Sequence, residues 1–132
     1  MEKIDIQTRK RIDFIEITNQ IEQIVKNKNI KSGLCFIFVP HTTCGLTINE
    51  NADPSVRKDI IEKLSQLIPE NGNYSHTEGN ADSHIKSSII GHSLTVFIEN
   101  NSLQLGTWQG IYLCEFDGPR TRQVWLKIIS SI

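Results

Sequence analysis

Two polar loops, each running into a helix start, constrain this chain more than anything else in it. The first spans His41 to Ile60, HTTCGLTINENADPSVRKDI, and the second spans His76 to Ile89, HTEGNADSHIKSSI. Their later parts align: Glu50-Asn51-Ala52-Asp53-Pro54 falls against Gly79-Asn80-Ala81-Asp82-Ser83, with Val56, Arg57 and Ile60 opposite Ile85, Lys86 and Ile89. Asp53-Pro54 is the sharpest local signal. Asp is a strong N-cap, and Pro suits the first helical position, where its missing N–H would go unbonded anyway. Val56, Ile60, Ile61, Leu64 and Leu67 follow at steps of three and four, which predicts a helix over 54–67 that breaks near Pro69. In the second copy Asp82 or Ser83 is expected to cap a shorter helix, with Ile85, Ile89 and Ile90 inward and Gly91 ending it.

The remaining segments read mainly as strands. Residues 3–8 alternate, and 12–17 are rich in β-branched and aromatic residues. Asn19 and Glu22 have capping-box spacing, and Ile21, Ile24 and Val25 form a helical stripe that should fade through 26–29. Leu34 to Val39 is continuously apolar, as in a strand buried on both faces, and Pro40 ends its ladder. Residues 46–48, 94–98, 105–116 and 121–129 read as further strands. Asn100-Asn101 is a turn tolerant of positive φ, and Asp117-Gly118-Pro119 is a second turn. Short links between the last three strands argue for an antiparallel meander. The expected fold is one α+β domain over 1–132, a mostly antiparallel sheet or sandwich with two to three helices on one side.

A chain of 132 residues, 38% hydrophobic, can bury a core without staples. Its net charge of -1 offers no broad basic surface, so a nucleic-acid partner is not expected. MEKIDIQTRKR lacks the apolar centre of a signal peptide, and no apolar run approaches the ~20 residues of a membrane span. The expectation is a cytoplasmic protein without a membrane partner. Cys35, Cys44 and Cys114 are odd in number and contain no CxxC pair, which points away from disulfides and zinc ribbons. Cys35 and Cys114 read as buried thiols. Cys44 lies in the polar loop and would need a lowered pKa to act as a nucleophile.

The candidate chemistry sits in and beside the two loops. His41, His76 and His84 are candidates for zinc, which takes imidazole nitrogens and keeps one position open, although their spacing matches no standard ligand pair. The same imidazoles can instead hydrogen-bond locally. Asp53 and Asp82 read as caps or as ligands for Mg²⁺, which uses few carboxylates together with substrate phosphates. Glu115 alternates within an apolar strand and can face a site. Two helix starts beside Thr42, Thr43, Asn51 and Asn80 offer N–H groups to an anion, and Arg120 and Arg122 offer forked donors to a phosphate. Trp108-Gln109 pairs a flat apolar face with an amide and suits a planar ring, although a core tryptophan fits the pattern equally well.

HTTCGLTINENADPSVRKDI, HTEGNADSHIKSSIIG and LGTWQGIYLCEFDGPRTRQV, in this order and over nearly the whole chain, resemble the YjbQ family, described as secondary thiamine-phosphate synthases. The resemblance implies a compact α+β fold assembled as a homotrimer. It also implies a reaction in which a thiazole phosphate nitrogen attacks the methylene of hydroxymethylpyrimidine diphosphate and pyrophosphate leaves. The family's polar positions carry over onto His41, Thr42, Asn49, Asn51, Asp53, His76, His84, Trp108, Gln109, Glu115 and Arg120. Asn101 stands where the family signature usually has Gly, and both residues accept positive φ. The expected ligands are a small phosphorylated metabolite and a divalent metal, Mg or Zn. The alternatives are a trimeric phosphometabolite- or metal-binding protein without turnover, and a metal-dependent hydrolase.

Overall fold

Alternation along the strands sorts the apolar residues onto facing sides of two antiparallel sheets. The computed structural model describes residues 1–131. In chain order the elements are β1 (Glu2–Gln7), β2 (Asp13–Glu16), α1 (Thr18–Lys28), β3 (Ser32–Phe38), β4 (Cys44–Glu50), α2 (Pro54–Leu67), α3 (Ala81–Ile90), β5 (Ser93–Glu99), β6 (Ser102–Leu103), β7 (Gln109–Glu115) and β8 (Thr121–Ser130). One sheet has the order β1-β8-β3-β5-β6, and the other β2-β7-β4. The final strands therefore do not form a meander. β7 lies in the smaller sheet between β2 and β4, while β5 and β8 flank β3 in the larger one. Hairpin-length links made consecutive pairing the default expectation, but β7 finds its apolar partners on the opposite sheet.

The main core lies between the sheets. Cys35, Ile37, Val96, Ile98, Val124 and Leu126 of the larger sheet meet Leu46, Ile111 and Leu113 of the smaller, and Ile21 and Val25 of α1 join them. A second cluster of Phe14, Tyr112, Cys114 and Phe116 lies on the other face of the smaller sheet, beneath Ile60, Ile61 and Leu64 of α2 and Ile90 of α3. β7 is thus covered on both faces. β3 is not. Cys35 and Ile37 are buried, but Phe36 and Phe38 between them are exposed, contrary to the two-sided burial expected of the apolar run.

Local signals shape the helices unequally. Asp53 Oδ1 accepts from the Ser55 N–H at 2.9 Å, with Pro54 in the first turn, as expected. Asn100 and Asn101 have φ of 50° and 62°, so Asn at 101 takes the left-handed conformation that Gly would. The capping box at Asn19 and Glu22 does not form. The N-cap of α1 is Ile17, and Glu22 accepts instead from the Leu103 N–H at 3.1 Å. α3 departs furthest from its pattern. Ile85 and Ile89 are exposed, and the buried face is Ala81, Asp82, Ser83, Lys86 and Ser87. Asp82 and Lys86 pair at 2.7 Å, Arg11 reaches Asp82 at 2.9 Å, and Ser87 Oγ donates to the Thr42 carbonyl at 2.6 Å. The polar face turns inward because it finds partners there, as buried charge and hydroxyl require. Asp82 is therefore a buried counter-ion in the first turn, and neither it nor Ser83 makes the expected side-chain cap bond. Among the described residues, no helix is long and apolar enough to cross a membrane.

Candidate active site

Pro40 ends β3, and the chain crosses to the smaller sheet through residues 40–43. This crossing lies against the end of β7, the 117–120 turn and the start of β8. The Gln123 N–H donates to His41 Nε2 at 2.9 Å, so the neutral ring carries its proton on Nδ1. Burial first, then the Arg122 charge, lowers the His41 pKa below its ordinary 6.5. The unfolded chain then binds a proton that the fold refuses, so stability falls as pH drops below 6.5 and levels off below the folded value. His41→Gln should flatten this part of the profile. Urea midpoints between pH 7 and 5 that change equally in both proteins would count against the depressed imidazole.

Three hollows adjoin at the first turns of α3. One of about 510 Å³ is lined by His41, Thr42, Cys44, His84, Ser87 and His92, among others. One of about 360 Å³ includes His41, Thr42, Thr43, His84, Arg120 and Arg122. The third, about 380 Å³, includes Tyr74, His76, Ala81, His84 and Ile85. His84 belongs to all three. Its ring packs edge-on against His76, with centroids 5.2 Å apart, and its nitrogens have no hydrogen-bond partner among the described residues. His76 Nε2 lies 3.0 Å from Asn80 Oδ1, and Asn80 Nδ2 donates to Asp117 Oδ2 at 2.9 Å. Arg120 Nη2 donates to the same oxygen, also at 2.9 Å. His41, Thr42, His76, His84 and Arg120 thus gather in one region.

Glu115 lies just behind it and is fully buried, unlike the site-facing carboxylate expected from the sequence. It accepts from Thr8 Oγ1 at 2.7 Å, the Asp117 N–H at 3.1 Å and Arg122 Nε at 2.9 Å, and it also pairs with Arg122 Nη2. Burial opposes the charge, but these donors outweigh it and hold the carboxyl below the usual range. Glu115 is an anionic support for Arg122. Gly118 has no room for a side chain here, since a Cβ would meet Glu115 Cγ and Thr8 Oγ1, both at 2.9 Å. Cys44 borders the first hollow, yet burial pushes its thiol up to about 12, so it stays protonated at neutral pH.

The other candidates lie elsewhere in the chain. The β4–β7 register sets Cys44 opposite Glu115 at one end and Glu50 opposite Gln109 at the other. At ~3.3 Å per residue these ends are about 20 Å apart. Asn49, Asn51, Asp53, Trp108 and Gln109 belong to the far end. Asn51 Nδ2 donates to Glu16 Oε2 and the Gln109 carbonyl, Gln109 Oε1 accepts from the Gly106 N–H, and Trp108 is 62% exposed rather than core. The expected metal set does not form within one chain. Among the described residues, no three His, Cys, Asp or Glu side chains are grouped to hold an ion. Asp53 accepts from Ser55 through Oδ1 alone, whereas both Asp82 oxygens are taken by Arg11 and Lys86.

Thr8 belongs to no motif, and no local signal marks Asp117 in its turn or Ser87 in the second loop as a contact of this region. The Glu115–Arg122 pair left a trace. Glu115 shares the inward parity of Ile111 and Leu113, and Arg122 shares that of Val124 and Leu126. Two opposite charges on core-facing positions of neighbouring strand ends point to a buried ion pair.

A family model described as UPF0047 protein YjbQ-like matches residues 2–131. UPF0047 protein MJ1081 of Methanocaldococcus jannaschii is 54% identical over 129 residues, covering 98% of this chain and 94% of that protein. UPF0047 protein YugU of Bacillus subtilis is 48% identical over 130 residues, with 98% of each chain covered. A crystal structure of a YjbQ/UPF0047 family protein from Clostridium acetobutylicum superposes with a TM-score of 0.95 at 48% identity, covering 98% of this chain and all of that one. The Thermus thermophilus protein TT1486 superposes at 0.91 with 39% identity, covering 98% and 100%.

Proposed function

Because this chain belongs to the UPF0047 YjbQ-like family, we propose that it is a transferase of the thiamine-phosphate synthase type, joining a hydroxymethylpyrimidine diphosphate to a thiazole phosphate. The observation that carries the reading is His84, an imidazole with unengaged nitrogens in the wall shared by three hollows. A bond forms between the thiazole nitrogen and the pyrimidine methylene carbon. The carbon–oxygen bond to the diphosphate breaks, and pyrophosphate departs with the electron pair. Donors beside His41 and Arg120 meet the developing charge, and His84 supplies the proton. The reading assigns each step to this chain's own side chains. The test is to supply both substrates and measure thiamine phosphate. Saturable binding without product would move the chain to the non-catalytic alternative. Hydrolysis products in place of thiamine phosphate, lost on chelation and recovered with added metal, would favour the hydrolase.

The homotrimer belongs to the same reading. The outer face of the larger sheet is bare: Phe97 is 66% exposed, Ile129 46%, Phe36 39% and Phe38 37%. Phe38 packs on Trp125 and on His92, which lines the 510 Å³ hollow, so this apolar face runs up to the rim of the site. A second copy seated there would bury the face and wall the hollow. Sedimentation should give three times the 15.0 kDa chain mass, and Phe97→Glu should yield monomers with reduced activity. A wild-type monomer at micromolar concentration would end this assignment.

A further inference from the structure

The 360 Å³ hollow holds a buried cation whose hydrogen bonds are unevenly spent. Arg122 is 4% exposed. Nε and Nη2 form one edge of its guanidinium, and both go to Glu115. Nη2 also donates to Thr43 Oγ1 at 2.8 Å and to the Thr43 carbonyl at 3.2 Å. Nη1 has no partner among the described residues, and Arg122 lines the hollow. Thr43 Oγ1 accepts from Arg122, which leaves its own O–H free to donate. His41 presents Nδ1–H, because the Gln123 N–H occupies Nε2. Thr42 adds an exposed hydroxyl to the same wall.

These groups are donors; the hollow is also lined by two carboxylates, Asp117, which is paired with Arg120, and Glu78, which lies 3.7 Å from His76. Each guanidinium already has its own carboxylate, Glu115 for Arg122 and Asp117 for Arg120. The hollow therefore attracts an anion through aimed hydrogen bonds more than through net positive charge. We propose that it is a subsite for a tetrahedral oxyanion, a phosphate or the terminal phosphate of a diphosphate. Arg122 is its anchor, and Glu115 and Thr8 are the positioning residues that hold the anchor still. The inference deepens the transferase reading and rests on it for the identity of the whole ligand. A guanidinium held through Nε and Nη2 offers its Nη1 N–H groups without reorganising, which is how preorganised donors bind phosphoryl oxygens.

The test titrates the full chain with inorganic pyrophosphate and, separately, inorganic phosphate, followed by calorimetry and ³¹P NMR. Wild type should bind pyrophosphate saturably. Arg122→Lys keeps the charge but removes the fork, and should weaken binding by at least about tenfold with an unchanged circular dichroism spectrum. Thr42→Val lies outside the buried pair and should weaken it severalfold, so it carries the test if Arg122→Lys does not fold. Lys58→Ala, on the exposed face of α2, should bind as wild type. No saturable binding at millimolar anion, or equal affinity in a folded Arg122→Lys or Thr42→Val protein, overturns the subsite. Pyrophosphate binding without product from the two substrates leaves the subsite standing and removes the transferase reading. Product without anion binding does the reverse.

Discussion

Asp82→Ala is expected to lower the free energy of unfolding by about 3–5 kcal/mol, the usual penalty when one partner of a buried ion pair is removed. Lys86 is 1% exposed and holds Asp82 at 2.7 Å, while Arg11 holds the other carboxylate oxygen. Without the carboxylate the buried Lys86 ammonium loses its counter-ion, while Arg11 keeps Glu70 at 3.4 Å. The midpoint of thermal unfolding should fall by on the order of 10–20 °C for a chain of this size. The double variant Asp82→Ala/Lys86→Met should recover most of the loss, because apolar replacement of both charges is often neutral. A single-variant loss below about 1 kcal/mol would show that the pair does not hold α3 in place. Burial opposes the Asp82 charge, but Arg11 and Lys86 outweigh it and lower the pKa from 3.8. Its contribution is therefore present at neutral pH, persists down to about pH 4, and is lost as pH falls through the depressed value. This window lies below the one in which His41 acts, so denaturation at pH 7, 5 and 3 separates the two.

His84→Ala should lower turnover by roughly 10²- to 10⁴-fold, the range for a lost proton-transfer group. The fold should survive, because the imidazole makes no hydrogen bond among the described residues. The Ser88 bond to the His84 carbonyl, 2.8 Å, uses only backbone on the His84 side. Added imidazole should restore part of the rate in the variant and none in wild type. His76→Ala should cost less, since His76 Nε2 is engaged with Asn80. Turnover within about twofold of wild type in His84→Ala, measured against the same substrates, would remove the proton-transfer role.

Much of the site's scaffold was legible in the chain. Asp53-Pro54 starts α2 through a cap that needs only its own neighbours, and Asn100-Asn101 turns the chain because asparagine tolerates left-handed backbone locally. Pro40 closes the strand, as expected, and His41 follows it into the wall of the hollow. Other parts were misread for a common reason. Ile85 and Ile89 have the spacing of an inward stripe, yet α3 buries Asp82 and Lys86 instead. Glu115 looked like a free carboxylate, but Arg122 and Thr8 close on it. Within one chain, Asn51, Asp53, Trp108 and Gln109 lie at the end of β4–β7 away from the histidines.

The sequence by itself placed the three helices and most of the strands along the chain, because turns and periodicity act over a few residues. It also determined the family, through several separated motifs in order. Only the tertiary structure decided which face of α3 is buried, which strands pair, and which polar residues share a hollow. Those outcomes depend on partners such as Arg11 for Asp82 and Thr8 for Glu115, 71 and 107 residues away. A buried charge is stable only where such a partner arrives, and no local pattern records its arrival.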